Sequence, residues 1–345
     1  MAEVLQNVLY LTTPGLYIAR DHLTLRIEHN RALKLALPIH HIESICILGN
    51  EILLSTGAMR LAMESGVPIN YLDENGRLLG RVIGVPDTSV TLRRAHFRAS
   101  DDPVVSIDIC RSIVAGKLQN ARNSLLRGAR ETDDPEAIVA LGNAVDLIGR
   151  LIPRLPEAAT PDIVRGLEGA AAQAYFGVFG HLLKQQQTDF AFRIRTRQPP
   201  LDRVNCLLSF LYALLRHDCI SALTTAGLDP FVGFLHVERA NRPALALDLM
   251  EEFRPWLADR LAVTLINRQQ IRAEDFVTRE GGAVELTTEG RKTLIKAYQE
   301  RKRESFHHPV LDQQIAILRH FFVQARLLAR VLRGDVPTYL PLIPK

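Results

Sequence analysis

The stretch VPDTSVTLRRAHFRAS, residues 85–100, is where the hydropathy pattern of this chain changes period. Upstream of it, apolar residues recur at every second position. Leu23, Leu25 and Ile27 alternate with polar neighbours, as do Leu33, Leu35 and Leu37, which is the spacing of strands with one buried face. Ile42–Leu48 and residues 52–54 continue the pattern, and TGAMRLAMES at 56–65 reads as one short helix. YLDENGRLLG carries the Asn75-Gly76 pair of a tight hairpin. Downstream, nearly every segment has helical period. The predicted fold class is α+β: a small β-rich domain over residues 1–95, followed by a larger, all-α domain over 96–345.

At 345 residues and 47% hydrophobic content, with mean hydropathy near zero, the chain is long enough to bury a substantial core in two domains. No run of about 18 apolar residues occurs, and MAEVLQNVLY at the start lacks a basic segment followed by a long apolar one. The expectation is a soluble, cytoplasmic protein that does not enter a membrane. Cys46, Cys110, Cys206 and Cys219 sit apart in apolar contexts with no CxxC pair. They read as buried reduced thiols rather than a disulfide frame or a zinc site. A net charge of +4 and a pI near 8.9 permit a nucleic-acid partner without requiring one.

Within the helical part, Leu311, Ile315, Leu318, Phe322, Ala325, Ala329 and Leu332 step by four and three, with Gly334 placed to cap the end. Another helix opens at TPDIVRGLEGAAAQAYFG, with Thr160 as N-cap and Pro161 in the first turn. Inside it, Glu168 shares a face with Val164, Ala171, Ala172 and Tyr175. A carboxylate there either meets a positive partner or stays in solvent, because burying it alone is costly.

The stretch GFLHVERANRPALALDLMEEFRP, residues 233–255, places His236 on a loop shortly before a helix that starts near Pro243. Leu245, Leu249, Phe253, Trp256 and Leu257 form the packed stripe of that helix, and Asp248 and Glu251 flank it on one side. A histidine and two or three carboxylates from separate segments make a hard, oxygen-rich site suited to Mg²⁺ or Mn²⁺ rather than zinc; a solvated acidic edge is the other reading. Two further motifs point elsewhere. His236-Val237-Glu238 matches the H-x-E of zinc deaminases, but the required P-C-x-x-C is absent. His217-Asp218 looks like a phosphohydrolase ligand pair, yet it falls in the apolar CLLSFLYALLRHDC and reads as a pair at a helix end.

Four segments taken together are more specific than any one: RGLEGAAAQAYFG at 165–177, RQPPLDRVNCLLSFLYALL at 197–215, GLDPFVGFLHVERANRPALALDLMEEFRP at 227–255 and QARLLARVLRGDVPTYLP at 324–341. In this combination the whole chain resembles the CRISPR-associated adaptation integrase, Cas protein one, and DLMEEFRP is similar to its type I-C-like branch. The resemblance implies a β-rich dimerisation domain and a helical catalytic domain. It also implies a metal-dependent DNA endonuclease and integrase that inserts short DNA segments into a CRISPR array. Carried over by position, Glu168, His236 and Glu251 match ligands of Mg²⁺ or Mn²⁺, and Asp248 matches an auxiliary acid one turn earlier. Glu251 stands where some relatives have Asp, a conservative difference for a hard cation. In the implied reaction a DNA 3′-hydroxyl attacks a phosphodiester of the repeat. The cation lowers the hydroxyl's pKa and offsets phosphoryl charge, and no protein nucleophile takes part.

The same reading bears on the arginines. FRIRTRQPPLDR sets Arg193, Arg195, Arg197 and Arg203 around a Pro-Pro break, and RKTLIKAYQERKR at 291–303 holds six basic residues against one acid. Both read either as clamps on the DNA backbone, which position a duplex without reading its sequence, or as solvated faces. Arg239 matches a basic position of the family, where it would touch the scissile strand. The implied partners are double-stranded and branched DNA, a second copy of the chain joined through residues 1–95, and a small protein, Cas protein two (Cas2). Two other functions stay open. A non-catalytic DNA-binding scaffold of the same complex would lack a working metal site. An unrelated metal hydrolase of small phosphoesters would turn over a chromogenic phosphodiester without DNA.

Overall fold

The computed structural model describes residues 7–344 apart from 74, 75, 77 and 86–88. Asn75 of the expected hairpin lies outside the described residues; Gly76 beside it takes φ +75° and donates to Asp73 O at 3.0 Å. The chain divides into two compact units, residues 1–87 and 88–345. The first helix of the second unit already begins at Val90, where the Ser89 hydroxyl accepts from Leu92 N at 3.3 Å. Residues 90–95 therefore belong with the helices. A serine N-cap, not the arginines after it, marks the change of architecture.

The first unit runs β1 (Asn7–Leu11), β2 (Leu16–Asp21), β3 (Thr24–His29), β4 (Ala32–Pro38), β5 (Ile42–Leu48), β6 (Leu53–Leu54), α1 (Thr56–Glu64), β7 (Ile69–Leu72) and β8 (Leu78–Val82). One sheet has the order β1-β5-β7-β8 and the other β4-β3-β2-β6. The parallel pairing of β5 with β7 uses α1 as its crossover. Ile18, Leu25, Ile27, Ile45, Leu61 and Ile69 fill the core between these elements. Two expectations fail here. Leu23 lies in the turn between β2 and β3 and is exposed. Leu33 and Leu35 lie on the sheet-edge strand β4 and are 54% and 45% exposed, so their period-two spacing is not matched by burial within the chain.

The second unit runs α2 (Val90–Asp101), α3 (Pro103–Arg130), α4 (Pro135–Leu151), α5 (Pro161–Gly177), α6 (Arg203–Thr225), α7 (Ala244–Met250), α8 (Arg260–Asn267), β9 (Phe276–Thr278), β10 (Val284–Leu286), α9 (Thr288–Arg303), β11 (Ser305–His308), β12 (Gln313–Ala316) and α10 (Ile317–Arg333). It is helical as the period predicts, with two short hairpins, β9–β10 and β11–β12, added to it. The hairpin β11–β12 shortens the last helix from the expected stripe. Leu311 and Ile315 fall in the hairpin, and Phe321 rather than Phe322 is fully buried on α10. Gly334 caps α10 at φ +81°, as its position suggests.

Helix α6 is long and apolar enough to cross a membrane by length and composition, but most of it is buried inside the fold. It is a core helix. His217-Asp218 lies well inside α6 and not at its end. Asp218 accepts from Lys302 Nζ at 2.8 and 2.9 Å and from Tyr298 Oη at 2.6 Å, both on α9. Asp218 thus belongs to a buried ion pair that joins two helices. All four cysteines are buried, and none is in a disulfide.

Candidate active site

The loop before α7 is shaped by its closeness to that helix. A Cβ on Gly233 would stand 2.7 Å from Ala244 Cβ and 3.0 Å from Asp248 Oδ2, so only glycine fits. The backbone can then wrap around one side chain. Asp248 Oδ2 accepts from Phe234 N at 2.7 Å and Leu235 N at 3.0 Å, and its Oδ1 accepts from His236 N at 2.9 Å. On the outer side, Arg165 of α5 donates to Leu235 O at 2.8 Å. The loop is therefore held from both flanks.

His236 is oriented by the same carboxylate. Its Nδ1 donates to Asp248 Oδ1 at 2.7 Å, which in the neutral ring leaves Nε2 as the free lone pair. Nε2 lies 3.6 Å from Glu251 Oε1. Asp248 is fully buried and accepts four hydrogen bonds. Its lone pairs are committed to the loop and to the imidazole. In this arrangement Asp248 holds the His236 ring in place.

Glu251 sits where the helix breaks. Instead of one continuous helix from Pro243 there are α7, a turn at 251–253, a π-helical turn over Arg254–Asp259 and then α8. Such π segments re-aim side chains. Glu251 Oε1 takes Arg254 at 2.8 Å, while its Oε2 lies 2.6 Å from Lys117 Nζ of α3. Burial opposes the charge on Glu251, but Arg254, Lys117 and His236 outweigh it and hold the carboxyl down at about 2. Glu168 of α5 reaches the same Lys117 Nζ through Oε1. The positive partner that its helix face demanded is thus Lys117, some fifty positions earlier.

Arg254 is fixed from behind. Its guanidinium lies over the Tyr212 ring, 4.9 Å from the centroid. Tyr212 donates to Asp259 Oδ1 at 2.6 Å, and Tyr175 of α5 donates to Asp259 Oδ2 at 3.1 Å. Neither Lys117 nor Arg254 was singled out from sequence. For Arg254 the signal was present, since it stands three residues after Glu251 on a helical repeat.

Among the described residues, no three His, Cys, Asp or Glu side chains stand close enough to hold a cation as arranged. The carboxylates of Glu168 and Glu251 instead close around an ammonium, with an imidazole nitrogen alongside. Two carboxylates and a ring nitrogen about one positive charge are a donor set that suits a hard divalent cation in kind.

The arginines separate into two groups. Arg193 and Arg197 are exposed, as is Arg239 at the tight turn before α7. Arg195 is turned inward. It donates to Asn205 Oδ1 at 2.7 Å and Ser209 Oγ at 3.1 Å, contacts Thr196 O, and lies over the Tyr212 ring. Arg203 donates to Asp189 O at 2.7 Å. On α9, Lys302 is buried against Asp218, and Lys292, Lys296 and Arg301 pair with Glu289, Glu300 and Glu304. That helix is an ion-paired face more than a phosphate clamp.

The family model for CRISPR associated protein Cas1 matches residues 9–300. The chain is 45% identical to CRISPR-associated endonuclease Cas1 1 of Moorella thermoacetica, covering 98% of each. It is 46% identical to CRISPR-associated endonuclease Cas1 2 of Rhodospirillum rubrum, again over 98% of each. Among solved structures, the fold is shared with a Cas1 protein from Thermotoga maritima at TM-score 0.81 and 24% identity, covering 97% of this chain and 98% of that one. A casposase bound to an integration product matches at TM-score 0.82 and 22% identity, over 97% and 93%. A Cas6-RT-Cas1–Cas2 complex matches at TM-score 0.83 and 23% identity, over 100% of this chain and 37% of that one. Matched along almost its whole length by relatives of this similarity, the chain belongs to the Cas1 family.

Proposed function

We propose that this chain is a divalent-metal-dependent DNA endonuclease and integrase that joins short DNA segments to a CRISPR array. The observation that carries the reading is the convergence of Glu168 from α5 and Glu251 from the break after α7 on one positive charge, beside a His236 ring held in place by buried Asp248. The names of the relatives, CRISPR-associated endonucleases at 45% and 46% identity, support the nuclease part. The likeness in fold to a casposase bound to an integration product fits strand transfer. The likeness to a chain of a Cas1–Cas2 complex fits Cas2 as the partner.

Glu168, Glu251 and Nε2 of His236 would hold the cation. A bound Mg²⁺ or Mn²⁺ supplies a Lewis acid that offsets phosphoryl charge and lowers the pKa of an attacking hydroxyl. The chain's own residues do the rest. Asp248 keeps the His236 ring in one tautomer with Nε2 outward, and Arg254, stacked on Tyr212, keeps Glu251 ionised in a nearly dry position. Exposed Arg193, Arg197 and Arg239 are the candidates for backbone contact. The test is integration of a labelled short duplex into a repeat-bearing plasmid, with Mn²⁺ or EDTA, and with and without Cas2. Mn²⁺-dependent joined product that is lost in Glu251→Gln is expected; product formed equally in EDTA sinks the reading.

A further inference from the structure

The two carboxylates assigned to the cation are already neutralised by side chains of the chain itself, and the two cations differ in how firmly they are held. Arg254 is fixed on both sides, by Glu251 Oε1 at 2.8 Å and by the Tyr212 ring. Lys117 is different. It bridges Glu168 Oε1 and Glu251 Oε2, its side chain is only 13% exposed, and no other contact ties down its ammonium among the bonds seen here. A lysine ammonium is a point charge on a flexible four-carbon stem, which can leave one position for another at little steric cost.

We propose that Lys117 is a tethered counter-ion that occupies the cation position in the metal-free chain and gives way when a divalent ion enters, so that it weakens and thereby sets metal affinity. The inference rests on the metal reading of the site. Charge balance argues for it. Glu168, Glu251 and Asp248 stand against Lys117 and Arg254, so a divalent ion added with both cations in place leaves one net positive charge in a largely buried site. Moving Lys117 out brings the cluster to neutrality. Conversely, without Lys117 the metal-free chain would keep Glu168 and Glu251 close together with no cation bridging them, Arg254 pairing with Glu251 alone, and a net negative charge. That cost falls on the metal-free fold. Lys117 is thus a positioning residue whose work is done before catalysis.

The experiment uses the full chain stripped with EDTA, as wild type, Lys117→Met and Lys117→Gln, titrated with Mn²⁺ by calorimetry and melted with and without Mn²⁺. Both variants should melt lower than wild type in EDTA. They should bind Mn²⁺ about tenfold more tightly or better, since a charge-assisted bond no longer has to be broken first. They should also gain more in melting temperature on Mn²⁺ addition than wild type gains. Lys117→Gln keeps a hydrogen-bond donor and carries the comparison if Lys117→Met does not fold in EDTA. A folded Lys117 variant that binds Mn²⁺ no more tightly than wild type overturns the inference while leaving the metal reading intact. Mn²⁺ binding that is absent in wild type and variants alike, or insensitive to Glu168→Gln, overturns both.

Discussion

Asp248, 0% exposed, accepts His236 Nδ1 at 2.7 Å with the same oxygen that takes the His236 backbone N–H at 2.9 Å. One carboxylate therefore fixes both the path of the loop and the direction of the ring it carries. The function of Asp248 is geometric, and its removal acts on folding as much as on chemistry. Asp248→Ala strands three backbone N–H groups and an imidazole N–H, each worth roughly 1–3 kcal/mol when buried without an acceptor. The variant is expected to melt far below wild type, with strand transfer lost alongside. Asp248→Asn retains one acceptor oxygen and should fold, yet transfer DNA poorly. An unchanged melting temperature for Asp248→Ala would show that the loop is held by something else.

Glu168 and His236 are half-buried, and Glu251 is buried against Lys117 and Arg254, so conservative changes at these positions act first on the charge cluster. Glu168→Gln, His236→Ala and Glu251→Gln should each reduce strand transfer to background while retaining most DNA affinity, because phosphate contacts elsewhere supply it. Gel-shift and integration assays on the same preparations check this. EDTA should mimic all three on activity and leave DNA binding close to that of the variants. Integration at the wild-type rate by any of the three would remove that residue from the site.

The contrast between what could be read from sequence and what could not follows from distance along the chain. Glu168 was legible as a carboxylate in want of a positive partner, because helical period alone places it among Val164, Ala171 and Tyr175. The partner itself, Lys117, lies on α3 with no local signal, since only tertiary packing brings α3 against α5. His236 and Asp248 were legible as neighbours of one site, but the bonds that hold Asp248 were not. Its ligands are backbone N–H groups, which every sequence has and none displays. The break at 251–253 also escaped the period, because Leu245, Leu249 and Phe253 remain buried through it. Apolar spacing reports burial in most elements, Leu33 and Leu35 being exceptions, and backbone hydrogen bonding hardly at all.

The arginines can be told apart by salt. Arg193→Ala with Arg197→Ala removes two exposed charges and should lower the slope of log affinity against log salt by roughly 0.9 per phosphate lost, with no effect on melting. Arg195→Ala should do the reverse. It removes one donor from Asn205 and one from Ser209, and one of the two guanidinium groups over Tyr212, so the melting temperature falls and the salt slope stays. Filter-binding titrations over a salt series, set beside thermal melts, separate the two. A salt slope that drops for Arg195→Ala alone would reverse the assignment.

Burial pushes the Asp259 carboxyl up to about 6, and the bonds from Tyr212 and Tyr175 with the charges of Arg195 and Arg254 offset this only in part. The folded chain thus holds a proton on Asp259 that the unfolded chain has released above its ordinary value near 4. Stability from this group is full below about pH 4 and is lost as pH rises through about 6. Asp259→Asn, which does not titrate, should gain on wild type by a few kcal/mol between pH 4 and 7.5 and no further above that. Urea unfolding at each pH measures the difference. A constant gap between the two across the range would mean that Asp259 is already ionised throughout.

In the first unit, Leu53, Tyr17, Glu28 and Leu33 lie opposite one another in a single row across β6, β2, β3 and β4. Leu53, Tyr17 and Leu33 are 65%, 42% and 54% exposed, and β4 has an unpaired edge. A row with three large exposed apolar side chains beside an open edge is the kind of surface that soluble chains cover or blunt with charge. Here Glu28, paired with Arg26 at 3.1 Å, is the charge within the row. A second copy, applied through a two-fold axis, would bury the same row against itself. Residues 1–95 are therefore expected to carry the homodimer contact, as the period-two spacing of Leu33 and Leu35 demands a partner that the single chain does not supply. Leu33→Lys with Leu53→Lys places two like charges from each copy in the shared face, and sedimentation velocity should then show a folded monomer for the variant and a dimer for wild type. A dimer of undiminished affinity in that variant would put the interface in the helical unit.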